Sequence, residues 1–339
     1  MSIQEELNTT IADLVRPGRG ILAADESTPT IAKRFSAVGV ESTEASRREY
    51  RSLIFSTPGL GEHISGVILY EETLQQLSLE DVAIPRLLCN QGIVPGIKVD
   101  MGKGPLVNAP GDEITYGLDG LSSRLERYKS LGARFAKWRD VFHISDVLPS
   151  SQAIRSNAEV LARYAAVCQA MGIVPIVEPE VLMDGPHSIS RAADVSEEVL
   201  LEVFKALHRH QVSLEQMVLK PSMVTPGKAS RRASPEEVAH ATLAVFRRAV
   251  PAAVPGIFFL SGGQTPEEAT DNLNALNRLE EAPWALSFSY GRALQEPAQK
   301  AWAGQRSNAG ATQAALIKRA RLNGLARSGA YAPLMEADD

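Results

Sequence analysis

The stretch IVPIVEPE, residues 173–180, is typical of one fold class. Its first five residues are apolar at successive positions, and GIFFL at residues 256–260 has the same pattern. Strands of this kind are buried on both faces, as in a parallel sheet that is covered by helices. Two glutamates follow the apolar run, so a charged segment is attached directly to a buried strand.

Eight short apolar or β-branched runs recur along the 339 residues and alternate with amphipathic stretches. The predicted strands are residues 20–25, 66–70, 96–100, 135–139, 173–178, 217–220, 256–260 and 284–290. The predicted helices include residues 158–171, 197–208, 235–250 and 267–279. Ser234 before Pro235 and Thr265 before Pro266 are helix start signals. This order predicts an α/β chain forming a closed (β/α)8 TIM barrel rather than an open doubly wound sheet.

We predict a single domain over residues 1–339, because the chain has no linker-like or low-complexity segment. Residues 329–339 are rich in small residues and acidic at the tip, which predicts a short mobile C-terminal tail.

Composition excludes several classes of partner. The 35 basic and 40 acidic residues give a net charge of -5, which offers no footprint for nucleic acid or an anionic membrane. No run approaches the roughly 20 apolar residues of a membrane span, and the first residues predict an amphipathic helix rather than a signal peptide. The two cysteines, Cys89 and Cys168, are too few for a disulfide framework, and we expect both in the core. We therefore expect a cytoplasmic protein.

Ionisable residues collect at the carboxyl ends of five predicted strands. They are Asp25, Lys98 with Asp100, Lys137 with Arg139, Glu178 with Glu180, and Lys220. In a barrel these ends meet at one mouth, where such enzymes work. Any one of them alone could be a side chain that has reached solvent, but their shared position favours an active site.

Lys220 follows MVL and precedes Pro221, so its amine is expected to be shielded at the end of a buried strand. Desolvation and a nearby cation such as Lys137 would lower its pKa and leave a free amine that can attack a ketone. The resulting iminium is an electron sink for cleavage of a carbon-carbon bond. Glu178 and Glu180 lie two residues apart on one face of an extended segment, where one of them could transfer protons. The alternative is a structural lysine with solvated or paired carboxylates.

Two segments predict a phosphate site after the seventh and eighth strands: Ser261-Gly262-Gly263, and Gly291-Arg292. Glycine amides, a helix start and a guanidinium are suited to a phosphate monoester, and these loops are the usual phosphate site of a barrel.

A second phosphate cradle is predicted from Thr30, Lys33 and Arg34 together with Lys98, although an ordinary basic helix face would look the same. The six histidines form no metal-ligand set, and the chain has no Walker A, GxGxxG or GxSxG motif. The prediction is therefore an enzyme without a metal or cofactor.

Nine collinear stretches resemble class I fructose-bisphosphate aldolases and cover nearly the whole chain. They are GILAADEST from Gly20, GVILYEETL from Gly66, GIKVDMG from Gly96, GLDGLSSR from Gly117, FAKWR from Phe135, IVPIVEPE from Ile173, LKPSMVTPG from Leu219, FLSGGQ from Phe259 and FSYGRALQ from Phe288. The resemblance implies that Lys220 forms the Schiff base and that Glu178 is acid and base in carbinolamine dehydration. Glu180 and Lys137 would support that chemistry, and Asp25 would take the proton of the hydroxyl beside the scissile bond.

The resemblance also implies two groups of substrate contacts. Ser261, Gly262, Gly291 and Arg292 resemble the site for the phosphate on the dihydroxyacetone side. Thr30, Arg34 and Lys98 resemble the site for the other phosphate, and Arg139 matches a further active-site arginine.

The implied reaction is reversible, metal-independent cleavage of fructose 1,6-bisphosphate by a homotetramer in glycolysis or gluconeogenesis. Preference for sedoheptulose 1,7-bisphosphate or fructose 1-phosphate, a transaldolase reaction and a protein-binding scaffold role are the alternatives. Thr30 stands where animal members commonly have serine. The chain also ends at Asp339 without the longer tail and terminal tyrosine of animal members, which predicts that chemistry at Lys220 is kept while protonation of the enamine is slower or uses another group.

Overall fold

Eight parallel strands close into a barrel in the computed structural model, which describes residues 2–279 and 282–337. With strands numbered in chain order, they are β1 (Gly20–Ala24), β2 (Ile64–Leu69), β3 (Val94–Lys98), β6 (Phe135–Phe142), β7 (Val174–Val181), β8 (Val218–Leu219), β9 (Gly256–Phe259) and β10 (Ala285–Tyr290). Each pairs with the next barrel strand along the chain, and β10 closes on β1 through Ser289 opposite Ile21. The predicted TIM barrel and all eight predicted strands are confirmed.

Helices surround the barrel and follow most of its strands. The α-helices are α1 (Ile3–Leu14), α2 (Thr28–Ser36), α3 (Glu44–Phe55), α4 (Leu60–His63), α5 (Glu71–Gln75), α6 (Ile84–Cys89), α7 (Leu121–Ser130), α8 (Ser151–Ala170), α9 (Ile189–Arg209), α10 (Pro235–Ala249), α11 (Pro266–Arg278), α12 (Arg292–Trp302) and α13 (Ala309–Ala326). Single 3₁₀ turns lie at Leu214–Gln216, Arg306–Asn308 and Pro333–Glu336. The predicted starts of α10 and α11 are confirmed, because Ser234 and Thr265 each form a capping box.

A small antiparallel hairpin outside the barrel was not predicted. It pairs β4 (Lys103–Pro105) with β5 (Glu113–Thr115) between β3 and α7. Both strands have three residues and no apolar alternation, so the pattern that predicted the barrel strands is absent from them.

The lower half of the barrel interior is a separate apolar cluster that α1 covers. Its members are buried and apolar: Leu7, Ile11, Leu14, Ile21, Ala23, Ile68, Val94, Phe135, Val174, Ile176, Val218 and Phe258. Phe135 fills the space that Gly96 leaves, because a Cβ on Gly96 would lie 2.2 Å from its ring. Large and small residues thus alternate to close this end of the barrel.

The cysteines differ from the prediction that both lie in the core. Cys168 is buried in α8, but Cys89 is exposed. Cys89 ends α6 and lies at the edge of the face that Ile84, Pro85 and Leu88 bury, about 100° around the helix axis from Leu88. None of the helices within the described ranges is long and apolar enough to span a membrane.

The C-terminal segment packs against α13 as far as it is described. Tyr331 is buried, and its hydroxyl donates to Glu336 Oε1 at 2.9 Å. Arg319 donates to both carboxylate oxygens of Glu336 at 2.6 Å. Mobility of residues 329–339 stays a prediction, and residues 338–339 lie outside the described part of the chain.

Candidate active site

The inward faces of β6 and β7 change from apolar to charged along their length. In β7, Ile176 belongs to the apolar cluster, and Glu178 and Glu180 follow it at two-residue intervals. In β6, Lys137 and Arg139 follow Phe135 in the same way. Because alternate residues of a strand share a face, the charged side chains point to the same interior at its carboxyl end.

This end of the barrel opens into a cavity of about 1090 Å³. All the residues predicted for the site line it, namely Asp25, Thr30, Arg34, Lys98, Lys137, Arg139, Glu178, Glu180, Lys220, Ser261, Gly262, Gly263, Gly291 and Arg292. The residues come from most of the barrel strands and from the loops that follow them, so closure of the barrel brings them together.

Glu178 lies between two buried lysines. Its Oε1 is 3.1 Å from Lys220 Nζ, and its Oε2 is 3.5 Å from Lys137 Nζ. Lys220 follows β8 directly, and its backbone N–H donates to Val177 O at 2.8 Å, which fixes the base of the side chain. All three side chains are almost completely buried. The carboxylate is therefore within proton-transfer distance of the Lys220 amine.

Asp25 is the nearest partner of Lys137, with 2.7 Å between Oδ2 and Nζ. Burial opposes ionisation of Asp25, but the charges of Lys137, Lys220 and Lys98 outweigh it and lower the pKa of Asp25 well below its usual range. Burial also opposes the charge of Lys137, yet Asp25, Glu178 and Asp100 raise its pKa above the ordinary lysine value. Both groups are charged at neutral pH.

Glu180 has a different cation from Glu178. Its Oε2 accepts a short hydrogen bond from Arg139 Nε. Although burial opposes its charge, Arg139 has a raised pKa because of Glu180, Glu178 and Asp100. The two glutamates share a face as predicted, but each is compensated by its own cations.

The predicted phosphate loop is shaped by glycines. A Cβ on Gly262 would lie 2.7 Å from Glu180 Oε1, and Gly263 has a φ of +81°. Within the described ranges, the amides of these two glycines donate to no protein acceptor and are available to a ligand. At the start of α11, the backbone N–H of Glu268 already has a partner within the protein, because it donates to Thr265 Oγ1 at 3.1 Å. The loop amides rather than the helix start are thus the candidate phosphate donors.

Gly291 and Arg292 begin α12 at the same mouth. Arg292 is exposed, and its Nη2 donates to Gln264 O at 3.2 Å. Arg34 is close by, since a Cβ on Gly291 would lie 3.7 Å from Arg34 Nη2. The residues predicted to bind one phosphate are therefore adjacent to those predicted to bind the other.

The residues predicted for the second phosphate have protein partners of their own. Thr30 Oγ1 is 3.0 Å from Ser27 Oγ, and Lys98 Nζ is 2.6 Å from Asp100 Oδ1. Arg34 pairs with Glu26. The structure brings these side chains into one cavity without direct contacts among the three.

Several polar lining residues have no predicted role, among them Glu26, Asp100 and Ser289. Asp100 is one of the charges at the strand ends, and Glu26 adjoins Asp25 in the sequence. Ser289 Oγ is buried and has no hydrogen-bond partner among the described residues. The sequence signal that could have identified Ser289 is its polar side chain within the otherwise buried run that ends at Tyr290.

The cavity is positively charged although the chain is acidic. Its lining includes ten lysines and arginines against seven carboxylates. The whole chain has a net charge of -5. Within the described ranges, no group of three or more histidine, cysteine, aspartate or glutamate residues is arranged to hold a metal ion.

Comparison with known proteins gives one consistent result. The family described as "Glycolytic: Fructose-bisphosphate aldolase class-I" matches residues 6–339. Fructose-bisphosphate aldolase C of Homo sapiens is 54% identical over 331 residues, which are 97% of this chain and 91% of that protein. The probable fructose-bisphosphate aldolase class 1 of Xylella fastidiosa is 51% identical over 333 residues, which are 98% and 99% of the two chains.

A solved structure is similar over almost the whole chain. Fructose-bisphosphate aldolase from Plasmodium falciparum, in complex with TRAP and a small-molecule inhibitor, has a TM-score of 0.96 and 49% identity. The match covers 97% of this chain and 96% of the other.

Proposed function

The chain belongs to the class I fructose-bisphosphate aldolase family, and from that premise we propose that an imine on Lys220 carries its reaction. The protein is a fructose-bisphosphate aldolase, a lyase that reversibly cleaves fructose 1,6-bisphosphate to dihydroxyacetone phosphate and glyceraldehyde 3-phosphate. The observation that carries the proposed mechanism is Glu178, which lies 3.1 Å from the Lys220 amine inside the cavity.

In the first step, the neutral Lys220 amine attacks the C2 carbonyl of the ketose, and a C–N bond forms. Glu178 accepts the proton that the amine loses and passes it to the alkoxide, which gives the carbinolamine; it then delivers a second proton, supplied by solvent, to the carbinolamine hydroxyl, which leaves as water. Lys137 is held at 3.5 Å from Glu178 and keeps a positive charge beside this carboxylate during the transfers. The product is an iminium ion bonded to Lys220.

Cleavage then needs a base at the hydroxyl on C4. Asp25 takes that proton, the C3–C4 bond breaks, and its electrons move into the iminium to form an enamine. The lowered pKa of Asp25 makes it a weak base. The electron sink on Lys220 rather than the basicity of Asp25 is therefore the main source of the driving force. The aldehyde product leaves, and protonation and hydrolysis of the enamine release dihydroxyacetone phosphate.

We propose that the phosphate of the dihydroxyacetone half binds Ser261, Gly262, Gly263, Gly291 and Arg292. The other phosphate binds Thr30, Arg34 and Lys98, and Arg139 orients the substrate between the two. The excess of cations in the cavity supports this assignment, because a sugar bisphosphate brings charges that seven carboxylates alone would repel. The route needs no metal, since the iminium supplies the electron sink.

The wider setting is proposed from the family. We propose a cytoplasmic homotetramer that acts in glycolysis and gluconeogenesis. The aldolase of Plasmodium falciparum occurs in a complex with TRAP. A protein-binding role is therefore a second candidate for this chain, beside its catalytic activity.

Steady-state kinetics with excess EDTA test the proposed substrate and metal independence. The kcat/KM for fructose 1,6-bisphosphate is expected to exceed those for sedoheptulose 1,7-bisphosphate and fructose 1-phosphate, with free dihydroxyacetone phosphate as a product. Activity that disappears with EDTA and returns with a divalent cation would reject the metal-free route. Transfer of the three-carbon unit to a sugar acceptor without its release would indicate a transaldolase.

A further inference from the structure

Glu26 is a buried carboxylate beside a proposed phosphate ligand. Its Oε1 forms a short ion pair with Arg34 Nη1. This ion pair needs an explanation, because the Glu26 carboxylate and a bound phosphate would both interact with the positive charge of Arg34. From these contacts we propose that Glu26 is a positioning residue that orients Arg34 and thereby selects substrates with a second phosphate. This inference rests on the proposed phosphate assignment of Arg34.

Glu26 is fixed by contacts from two other elements. Gln295 of α12 donates through Nε2 both to Glu26 Oε1 and to Ala23 O, each at 2.7 Å. Arg51 of α3 donates through Nη2 to the backbone oxygen of Glu26 at 3.0 Å. Gln295 of α12 thus holds the carboxylate and Arg51 of α3 holds the backbone of Glu26, in addition to the contact with Arg34.

Of the two arginines beside the Glu26 carboxylate, Arg34 is the nearer. Glu26 Oε2 accepts no hydrogen bond within the described ranges, and Arg51 Nη2 is 3.9 Å away from it. Arg51 is in addition compensated by Glu72, 3.5 Å from its Nη1. A buried oxygen without a partner is costly, so retaining a charged group here indicates a role that apolar packing cannot fill.

Among Arg34, Glu26 and Arg51, Arg34 is the most exposed in the cavity. Its side chain is 23% exposed, against 5% for Glu26 and 2% for Arg51. A guanidinium has five N–H donors in a planar fork, so one edge can remain on Glu26 while the other receives a phosphate oxygen. Glu26 then limits the rotamers of a long side chain, and a second phosphate meets a preoriented partner.

The test compares kcat/KM for fructose 1,6-bisphosphate with kcat/KM for fructose 1-phosphate, which lacks the second phosphate. Glu26→Ala is expected to lower this ratio about tenfold, mainly through KM for the bisphosphate, as for a displaced binding group. Glu26→Gln keeps the volume and one acceptor, so it should lower the ratio less. It also serves if the alanine variant does not fold.

A double-mutant cycle shows whether the effect passes through Arg34. In an Arg34→Ala background, Glu26→Ala should lower the ratio no further. Glu72→Gln is the matched control, because Glu72 contacts Arg47 and Arg51 in the same network, and this control should leave the ratio unchanged.

Two contrary results are distinguishable. If Arg34→Ala lowers the ratio and Glu26→Ala and Glu26→Gln do not, or if their effects add to that of Arg34→Ala, the role of Glu26 is overturned and the phosphate assignment stands. If Arg34→Ala itself leaves the ratio unchanged, the phosphate assignment and the role of Glu26 are overturned together.

Discussion

The two ends of the barrel interior are built by the same strands but have opposite chemistry. At the lower end, Phe135 and Ile176 pack with α1 in a cluster without a charged side chain among its described members. Two residues further along the same strands, Lys137 and Glu178 are equally buried and form ion pairs. The lower end therefore supplies stability, while the mouth keeps costly buried charges for which the chemistry gives the reason.

Replacement of the proposed nucleophile at the mouth of the barrel should have the largest effect on activity. Lys220→Met is expected to reduce kcat by at least about 10⁴-fold, because the other amine beside Glu178, that of Lys137, is held in its charged form by Asp25 and cannot attack the carbonyl. The variant should keep the fold and the thermal unfolding midpoint of the wild type, which circular dichroism would check. A variant that keeps more than a tenth of the activity would remove Lys220 from its role.

At the lower end of the barrel, a substitution should reduce stability and leave catalysis nearly unchanged. Phe135→Ala is expected to lower the free energy of unfolding by about 3 to 5 kcal/mol, because it empties the space beside Gly96. The kcat of the folded fraction should change little, which denaturant unfolding and active-site titration would together establish. A stable variant with a large loss of kcat would show that the two ends are not separable.

Substitutions of the two glutamates of β7 should lower kcat to different extents, because the two residues have different roles. Glu178→Gln is expected to lower kcat by about 10² to 10³-fold, in the range of a lost general acid and base. Glu180→Gln is the matched control on the same face and should lower kcat only about tenfold, since Glu180 contacts Arg139 rather than a lysine. Equal losses, measured under saturating substrate, would contradict the assignment of proton transfer to Glu178.

The smallest expected effect concerns the outward face of β6. Burial raises the pKa of Asp140 to about 8, while hydrogen bonds from Thr115 and Trp138 oppose the rise. The folded state keeps a proton that the unfolded state has lost, so stability falls as pH rises through 8. Between pH 7 and 9 this loss is on the order of 1 kcal/mol.

Asp140→Asn should remove that part of the pH dependence. Urea unfolding of both proteins at pH 7 and pH 9 would show it as a difference in midpoint. If wild type and variant lose the same stability over this interval, Asp140 does not titrate there.

Much of the fold follows from local patterns. The barrel strands are apolar at successive positions, and two-residue alternation places Lys137 with Arg139 and Glu178 with Glu180 on the inner face. Strand order then brings these side chains to one cavity. The family prediction from the nine sequence stretches is confirmed by relatives above 50% identity over nearly the full chain.

The partners within the site could not be predicted in the same way. Gln295 and Glu26 are 269 positions apart, and only the docking of α12 beside β1 makes them neighbours. The pairing of Glu180 with Arg139 depends on the register of β6 and β7. Glu26 itself has the sequence appearance of a solvated acid after a strand, so its burial was not visible from composition or spacing.

The central claim is that Lys220 forms the imine, and reductive trapping tests it most directly. The protein would be incubated with fructose 1,6-bisphosphate and excess EDTA, reduced with borohydride, and digested for peptide mass mapping, with Lys220→Met as the control. We expect a reduced adduct on Lys220 in the wild type, no adduct in the variant, and activity unaffected by the chelator. An adduct on another lysine, or no adduct together with activity lost to EDTA, would contradict it.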